Sequence, residues 1–261
     1  MARFSDFTAA IFDVDDTLLD NRSSTSGPSL HERSRLRAVH RVGKRHGIVA
    51  LQQVTIQENL EGFTTAPAHT LESAVWNIMF RCGLVAVNEP DPTNQIFREI
   101  VALKDKLHEK LLREEGREVV GASDFVRRLA ANGFDGKLAI ASTAVRRDID
   151  IFLEKVGLTG LFPDAHIIAK DRITHPKPHP EAFDLAFQML DLPPGTKSKV
   201  LVFEDDPRGI MAAKAAGMHV FAIATRYDKE RLAKLAVAPD FIAESYAEFA
   251  NHLGLPATLK L

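Results

Sequence analysis

Cysteine is nearly missing from this chain: Cys82 stands alone among 261 residues. No intrachain disulfide can form, and the expected setting is a reducing compartment, the cytoplasm. Charge of one sign is not in excess either. The 33 basic residues face 35 acidic ones for a formal net charge of -2, which excludes the broad positive field that holds nucleic acid or anionic membrane. No apolar run reaches bilayer length. The N-terminal Met1-Ala2-Arg3-Phe4-Ser5-Asp6 meets an acid before any apolar stretch of signal length. The expectation is a monomer or homodimer without nucleic-acid or membrane partners. At 45% hydrophobic and 26% charged residues, the composition is that of an ordinary globular protein, long enough for one large domain or a core with an insertion.

What the chain does have is a pair of aspartates at the end of an apolar run. The stretch is Ala9-Ala10-Ile11-Phe12-Asp13-Val14-Asp15-Asp16-Thr17. It reads as a buried strand delivering Asp13 and Asp15 to its carboxyl end, where ligands sit in parallel α/β sheets. Side chains alternate along a strand, so the two carboxylates share a site only if the backbone turns just after Asp13. Two close carboxylates repel unless a cation or a shared proton compensates. A hard divalent ion is the natural remedy.

Four helical stretches are expected after the polar, turn-rich segment 21–29, near 30–46, 52–62, 68–82 and 93–114. From about residue 119 the pattern changes to alternating strand and helix. Strands are expected at 137–142, near 165–169, at 199–204 and at 218–223, with a small one near 240–242. Helices are expected at 122–132, 145–156, 180–190 and 207–216. Alternation of this kind implies a doubly wound parallel sheet covered on both faces. The first strand is cut off from the others by the helical block. The expected architecture is therefore an α/β core, residues 1–20 and 116–261, carrying an inserted all-helical domain, residues 21–115.

More polar groups close the predicted strands. Ser142-Thr143 ends the strand 137–142 and opens a helix, which suits either a phosphate site or a plain helix cap. Lys177 lies in His175-Pro176-Lys177-Pro178-His179-Pro180, where three prolines stiffen the loop and hold the lysine. Glu204-Asp205-Asp206 closes the apolar strand and needs a cation or cationic neighbours. His166, His175 and His179 form no cluster with zinc-ligand spacing.

Taken together, and in this order, these motifs resemble those of the haloacid dehalogenase-like superfamily of phosphotransferases, in its β-phosphoglucomutase and phosphatase branch. Asp13-Val14-Asp15-Asp16-Thr17 matches the first motif, Ser142-Thr143 the second, Lys177 the third and Glu204-Asp205 the fourth. The resemblance covers essentially the whole chain and makes the insertion that branch's helical cap. It implies a Rossmann-like core and Asp13 as a nucleophile that forms an aspartyl-phosphate. Asp15 would be the general acid and base. Mg²⁺ would be held by Asp13, Asp15 (through its backbone carbonyl), Asp205 and, directly or through water, Glu204. Thr17, Ser142, Thr143 and Lys177 would bind the phosphorylated substrate, with Ser142 and Lys177 also counted in the catalytic set. Two departures stand out: position 16, often glycine in the family, is aspartate, and position 206, often serine, is a third acid. Asp206 either joins the metal shell or caps the next helix.

The implied activity is hydrolysis of a small phosphomonoester. The alternative is a β-phosphoglucomutase-like phosphosugar mutase, against which stands the lack of an arginine in Leu60-Glu61-Gly62-Phe63-Thr64-Thr65-Ala66-Pro67. Asp15 argues against phosphonate cleavage and dehalogenation. The separation of Asp13 from Ser142 argues against a receiver-type signalling domain. Phe63, Trp76, Phe80 and Phe97 are expected in the cap core, and the basic run Arg33–Arg45 on a solvated helix face.

Overall fold

A computed structural model describes residues 3–22 and 27–256. The chain divides into two compact units, one made of the residues up to Asp20 together with those from Arg117 onward, the other Asn21–Gly116. Of the polar, turn-rich segment 21–29, which reads as a hinge or loop, residues 23–26 lie outside the described residues.

The first unit begins with strand β1 (Ala9–Phe12) and a short β2 (Leu19–Asp20). The helical unit follows: α1 (Leu30–Arg45), α2 (Val49–Gln52), α3 (Ile56–Thr64), α4 (Leu71–Arg81) and α5 (Gln95–Glu115). Reciprocal caps start two of these helices. Ser29 Oγ accepts from Glu32 N while Glu32 accepts from Ser29 N, and Thr55 and Glu58 do the same. The four long helices match the expected stretches, and the four-residue α2 is additional. Val39, Val42, Leu51, Val75, Trp76, Phe97 and Ile100 form their apolar core. Trp76 and Phe97 meet edge to face at 5.3 Å as core residues, whereas Phe80 is exposed. One arginine leaves the expected solvated face. Arg35 is 4% exposed because Asn59 receives its guanidinium through both the side-chain and backbone oxygens.

The chain then resumes the α/β unit with β3 (Arg117–Glu118), α6 (Ala122–Leu129), β4 (Leu138–Ala141), α7 (Arg146–Val156), β5 (Ile167–Ile168), α8 (Glu181–Met189), β6 (Val200–Glu204), α9 (Pro207–Ala215), β7 (His219–Ile223), α10 (Lys229–Ala233), β8 (Phe241–Ala243) and α11 (Tyr246–Leu253). Six parallel strands form one sheet in the order β5-β4-β1-β6-β7-β8, and β2 pairs antiparallel with β3. This is the doubly wound fold that the alternation predicts.

Period-two alternation sorts the strand side chains onto two faces. Ala9, Ile11, Ala139, Ala141, Val200, Val202, Val220 and Ala222 pack on α8 and α9, whose alanines at 182, 186, 212 and 213 permit close approach. Phe12 stacks on Phe203 at 4.7 Å, and Phe125, Phe221, Tyr246 and Phe249 complete an aromatic layer. Burying these rings supplies much of the drive to fold, at roughly 25 cal/mol per Å² of apolar surface.

At the far side of the sheet Asp240 accepts from Lys214 Nζ at 2.8 Å and from Val220 N at 2.7 Å. Partial burial raises its pKa, but Lys214 and the Val220 amide outweigh that, so the carboxyl lies below its usual range. A carboxyl lowered in the native state contributes stability above its unfolded pKa, about 3.9, and loses it as pH falls toward the native value. Asp240→Asn should therefore cost about 1 kcal/mol at pH 7, and the gap from wild type should narrow at pH 3.5. Urea unfolding at both pH values measures it.

Candidate active site

Asp13 follows β1 directly, and its backbone N–H donates to Phe203 O at 3.0 Å, extending the β1–β6 ladder by one rung. Register pairs Phe12 with Phe203 on one side and with Ile140 on the other. The next residues along these strands are Asp13, Glu204 and Ala141, and that is how the sheet brings acids from distant parts of the sequence to one edge.

The turn demanded after Asp13 is present. Val14 O accepts from Leu18 N at 2.9 Å and Leu19 N at 2.8 Å, and Asp16 N donates to Leu19 O at 2.7 Å. Asp16 closes this turn at φ 58°, in the left-handed region. That conformation explains a preference for glycine at this position, and aspartate is among the side chains that tolerate it best. Asp16→Gly should retain wild-type stability or exceed it, whereas Asp16→Ala should cost about 1 kcal/mol. Thermal unfolding of the two variants side by side reads the difference.

Lys177 reaches the same edge from the loop before α8. Its ammonium donates to Asp13 Oδ1 and to Glu204 Oε1, both at 2.6 Å, and its side chain is 7% exposed. Phe183 of α8 lies under the ammonium, 5.0 Å from Nζ to the ring centroid. Burial alone would depress the lysine pKa, but Asp13 and Glu204 outweigh it and hold the group protonated. The acids feel the opposite pressure. Burial, only partly offset by Lys177, pushes Asp13 well above the usual carboxylate range, with Glu204 and Asp15 adding to the rise. Burial likewise raises Asp205, with Glu204 and Asp13 the next contributors.

The carboxylates of Asp13, Glu204 and Asp205 present oxygens within 4.8 Å of one another. One ammonium against three buried carboxylates leaves negative charge uncompensated. An all-oxygen donor set with that surplus fits a hard divalent ion. Asp13 and Asp205 are the best placed to hold one. Both oxygens of Glu204 are already engaged, Oε1 by Lys177 and Oε2 by the N–H groups of Asp205 and Asp206 at 2.8 and 2.9 Å.

Other expected site residues fall out differently. Thr17 is 0% exposed and donates its hydroxyl to Asp205 Oδ1 at 3.1 Å. Ser142 is buried after β4, and its Oγ accepts from Ala144 N at 3.2 Å in a turn ahead of α7, whose N-cap is Val145 and not Ser142. No hydrogen bond among the described residues joins it to Asp13 or Lys177. Thr143 is exposed at the same strand end. Asp15 forms a bridge with Leu19 in the turn. Asp206 resolves as the cap of α9, accepting from Arg208 N at 2.9 Å, with Arg226 at 3.2 Å on its other oxygen.

Two residues have supporting roles that the sequence alone does not assign: Gly209, which with Pro207 starts an alanine-rich helix suited to close packing, and Tyr246. Gly209 lies where the Glu204 carboxylate sits: a Cβ there would come within 1.7 Å of Oε1. Tyr246 of α11 donates its hydroxyl to Thr17 O at 3.1 Å beneath the acids. The alanine-rich helix Pro207–Ala215 signalled close packing, but not which group approaches. Gly209→Ala should displace Glu204 and with it Lys177, lowering turnover of a phosphate ester by 10- to 100-fold. Circular dichroism should show the fold retained.

The sequence model of the haloacid dehalogenase-like hydrolases matches residues 7–217, and the chain belongs to that family. It is an enzyme of the hydrolase class. Among curated relatives, pyrophosphatase PpaX of Anoxybacillus flavithermus is 29% identical over 168 residues, covering 64% of this chain and 72% of that protein. Glycerol-1-phosphate phosphohydrolase 2 of Saccharomyces cerevisiae is 36% identical over 124 residues. That match covers 46% of this chain and only 48% of the yeast enzyme, so the chain spans about half its length. Solved structures agree on the fold. CbbY from Rhodobacter sphaeroides in complex with phosphate matches with a TM-score of 0.64 at 23% identity, over 93% of this chain and 96% of that one. A predicted phosphoglycolate phosphatase from Haemophilus somnus matches with a TM-score of 0.69 at 19% identity, over 95% and 98%.

Proposed function

We propose that this chain is a Mg²⁺-dependent phosphatase, hydrolysing a small phosphomonoester through an aspartyl-phosphate on Asp13. The observation that carries this reading is the single buried cluster in which Lys177 bridges Asp13 and Glu204 beside Asp205. Phosphoryl transfer asks a protein mainly to position the groups and to neutralise spread negative charge. Mg²⁺ held by Asp13, Asp205 and the Asp15 backbone carbonyl, with Glu204 direct or through water, would supply the charge neutralisation the lysine alone does not.

In this account the Asp13 carboxylate attacks phosphorus, and the bond to the ester oxygen breaks as Asp15 gives that oxygen a proton. The Asp15 carboxylate then takes a proton from water. The resulting hydroxide attacks phosphorus, the bond to Asp13 breaks, and phosphate leaves with Asp13 regenerated. Lys177 offsets part of the burial that disfavours the Asp13 carboxylate and faces the charge that develops on the phosphoryl oxygens. Glu204 fixes the lysine, and Thr17 fixes Asp205. Ser142 and Thr143, at the neighbouring strand end, are the proposed cradle for the phosphoryl group. The helical unit, residues 21–116, is proposed as the family's cap, which selects substrate. The curated relatives carry names that span pyrophosphate, glycerol-1-phosphate and validoxylamine A 7'-phosphate, and this supports a small phosphorylated metabolite as the class. No helix among the described residues is long and apolar enough to cross a membrane, and with Cys82 free a cytoplasmic setting suits the reading.

A phosphosugar mutase is the second reading. Arg35 has its guanidinium 5.4 Å over the Phe63 ring, but it is buried and held by Asn59, so it does not replace the arginine that the Leu60–Pro67 stretch lacks. Product analysis separates the two: the phosphatase releases inorganic phosphate, and a mutase returns an isomerised sugar phosphate.

Asp13→Asn should lower Mg²⁺-dependent hydrolysis of an aryl phosphate by at least about 10³-fold, as loss of a covalent nucleophile does. Asp15→Asn should slow release of the phosphoenzyme enough for intact-mass measurement to find one phosphoryl group on the protein. Full activity in Asp13→Asn would remove Asp13 from its role.

A further inference from the structure

Outside the acidic cluster, the loop that carries Lys177 gathers a second set of donor groups. His175 Nδ1 lies 2.8 Å from Glu181 Oε2, and His179 Nδ1 lies 4.0 Å from the same oxygen. The two imidazoles face each other with centroids 4.7 Å apart at an angle of 34°. One donor atom from each of the three side chains falls within 4.8 Å of the other two. We propose that His175, His179 and Glu181 form a second cation site, for a transition-metal ion of the zinc class, that clamps the loop holding Lys177.

The geometry is near what such an ion requires. Bonds of about 2.0–2.2 Å to imidazole nitrogen and carboxylate oxygen in a tetrahedral shell put neighbouring donors roughly 3.3 Å apart. The observed 2.8 and 4.0 Å lie on either side of that value, within reach of small side-chain rotations. Two imidazoles and a carboxylate leave one position for water, and mixed nitrogen and oxygen donors favour zinc-class ions over magnesium.

The loop is prepared for this. Pro176, Pro178 and Pro180 fix φ on either side of Lys177 and His179, so little further ordering is needed on binding. Glu181 begins α8, and its carboxylate is aimed by two backbone donors, Thr174 N and His175 N, each at 2.8 Å. Those bonds hold its pKa at about 2, so it is an anion across the working range. The outer contacts of a metal site play the same orienting part. Binding replaces two contacts, the 2.8 Å bond between His175 Nδ1 and Glu181 Oε2 and the 3.2 Å bond from Glu181 N to His179 Nδ1. Lys177 does not oppose the ion, because its ammonium is turned into the acidic cluster. His166, the third histidine of the sequence pattern, takes no part, as its Nδ1 meets Leu138 O at 3.0 Å. His175 and His179 stand at the H-x3-H spacing common in zinc sites, and the carboxylate of Glu181 is the ligand that a reading of the histidines alone left out.

This proposal does not rest on the phosphatase reading, and its test does not read activity. Untagged protein in excess Mg²⁺ is titrated with Zn²⁺ by calorimetry, and with Co²⁺ while following visible absorption. The wild type should bind one equivalent, with the intense absorption of tetrahedral cobalt. His175→Ala/His179→Ala should weaken binding at least about tenfold and lose that spectrum. Its melting temperature without added metal should stay unchanged, since the two side chains are 64% and 52% exposed. Asp205→Asn, which alters the acidic cluster, should bind Zn²⁺ as the wild type does. Equal binding by wild type and the double histidine variant, loss of binding in Asp205→Asn, or no binding by the wild type would each overturn the proposal.

Discussion

Three carboxylates packed within a few ångströms, and shielded from water, would drive the strand ends apart unless cations stood among them. The bridge from Lys177 to Asp13 and Glu204 is the contact on which the rest of the α/β unit turns. Removing an ion from water costs several kcal/mol even after relaxation, and the cost is recovered only with close, well-aligned partners. The structure provides them from many places. The β1–β6 register sets Asp13 beside Glu204, Gly209 clears the space for the glutamate, and Thr17 ties Asp205. Tyr246 supports Thr17 from the far end of the chain. Each is a small contact, and together they hold one arrangement of charges that none would hold alone.

The surplus of negative charge gives the site its chemical meaning. An ion-paired lysine suffices to keep Asp13 ionised only in part, and burial still favours its protonated form. A nucleophilic carboxylate and an anionic phosphate can meet only where further positive charge is available. On the proposed phosphatase reading, charge balance and reactivity ask for the same thing, a divalent ion at the sheet edge.

Much of this fold was legible because its strands are apolar runs and its helices carry explicit caps and stops. Val200–Glu204 is buried throughout, as a central parallel strand must be, and Gly157 ends α7 in the left-handed conformation that its place predicted. The β2–β3 pair was not legible: two residues at each side, joined across the whole helical insertion, leave no periodic signal. Helix α11 was legible and overlooked. Ser245 caps it, and Tyr246, Phe249, Ala250 and Leu253 recur at helical spacing. In the site, Asp13, Lys177, Glu204 and Asp205 could be read because each ends a strand or sits in a stiffened loop. Asp206 followed by Pro207 was a helix-start signal in its own right, and the structure takes that branch of the alternative. Thr17 could not be placed, since whether a hydroxyl faces substrate or an acid depends on a partner 188 residues away.

The central claim is that one divalent ion compensates the buried acids. Anomalous scattering from crystals soaked in Mn²⁺ tests it directly. The account predicts a single peak at the end of β1, about 2.0–2.3 Å from carboxylate oxygens of both Asp13 and Asp205. A metal-loaded crystal with no peak there, and with Lys177 still closing the pocket between Asp13 and Glu204, would contradict it.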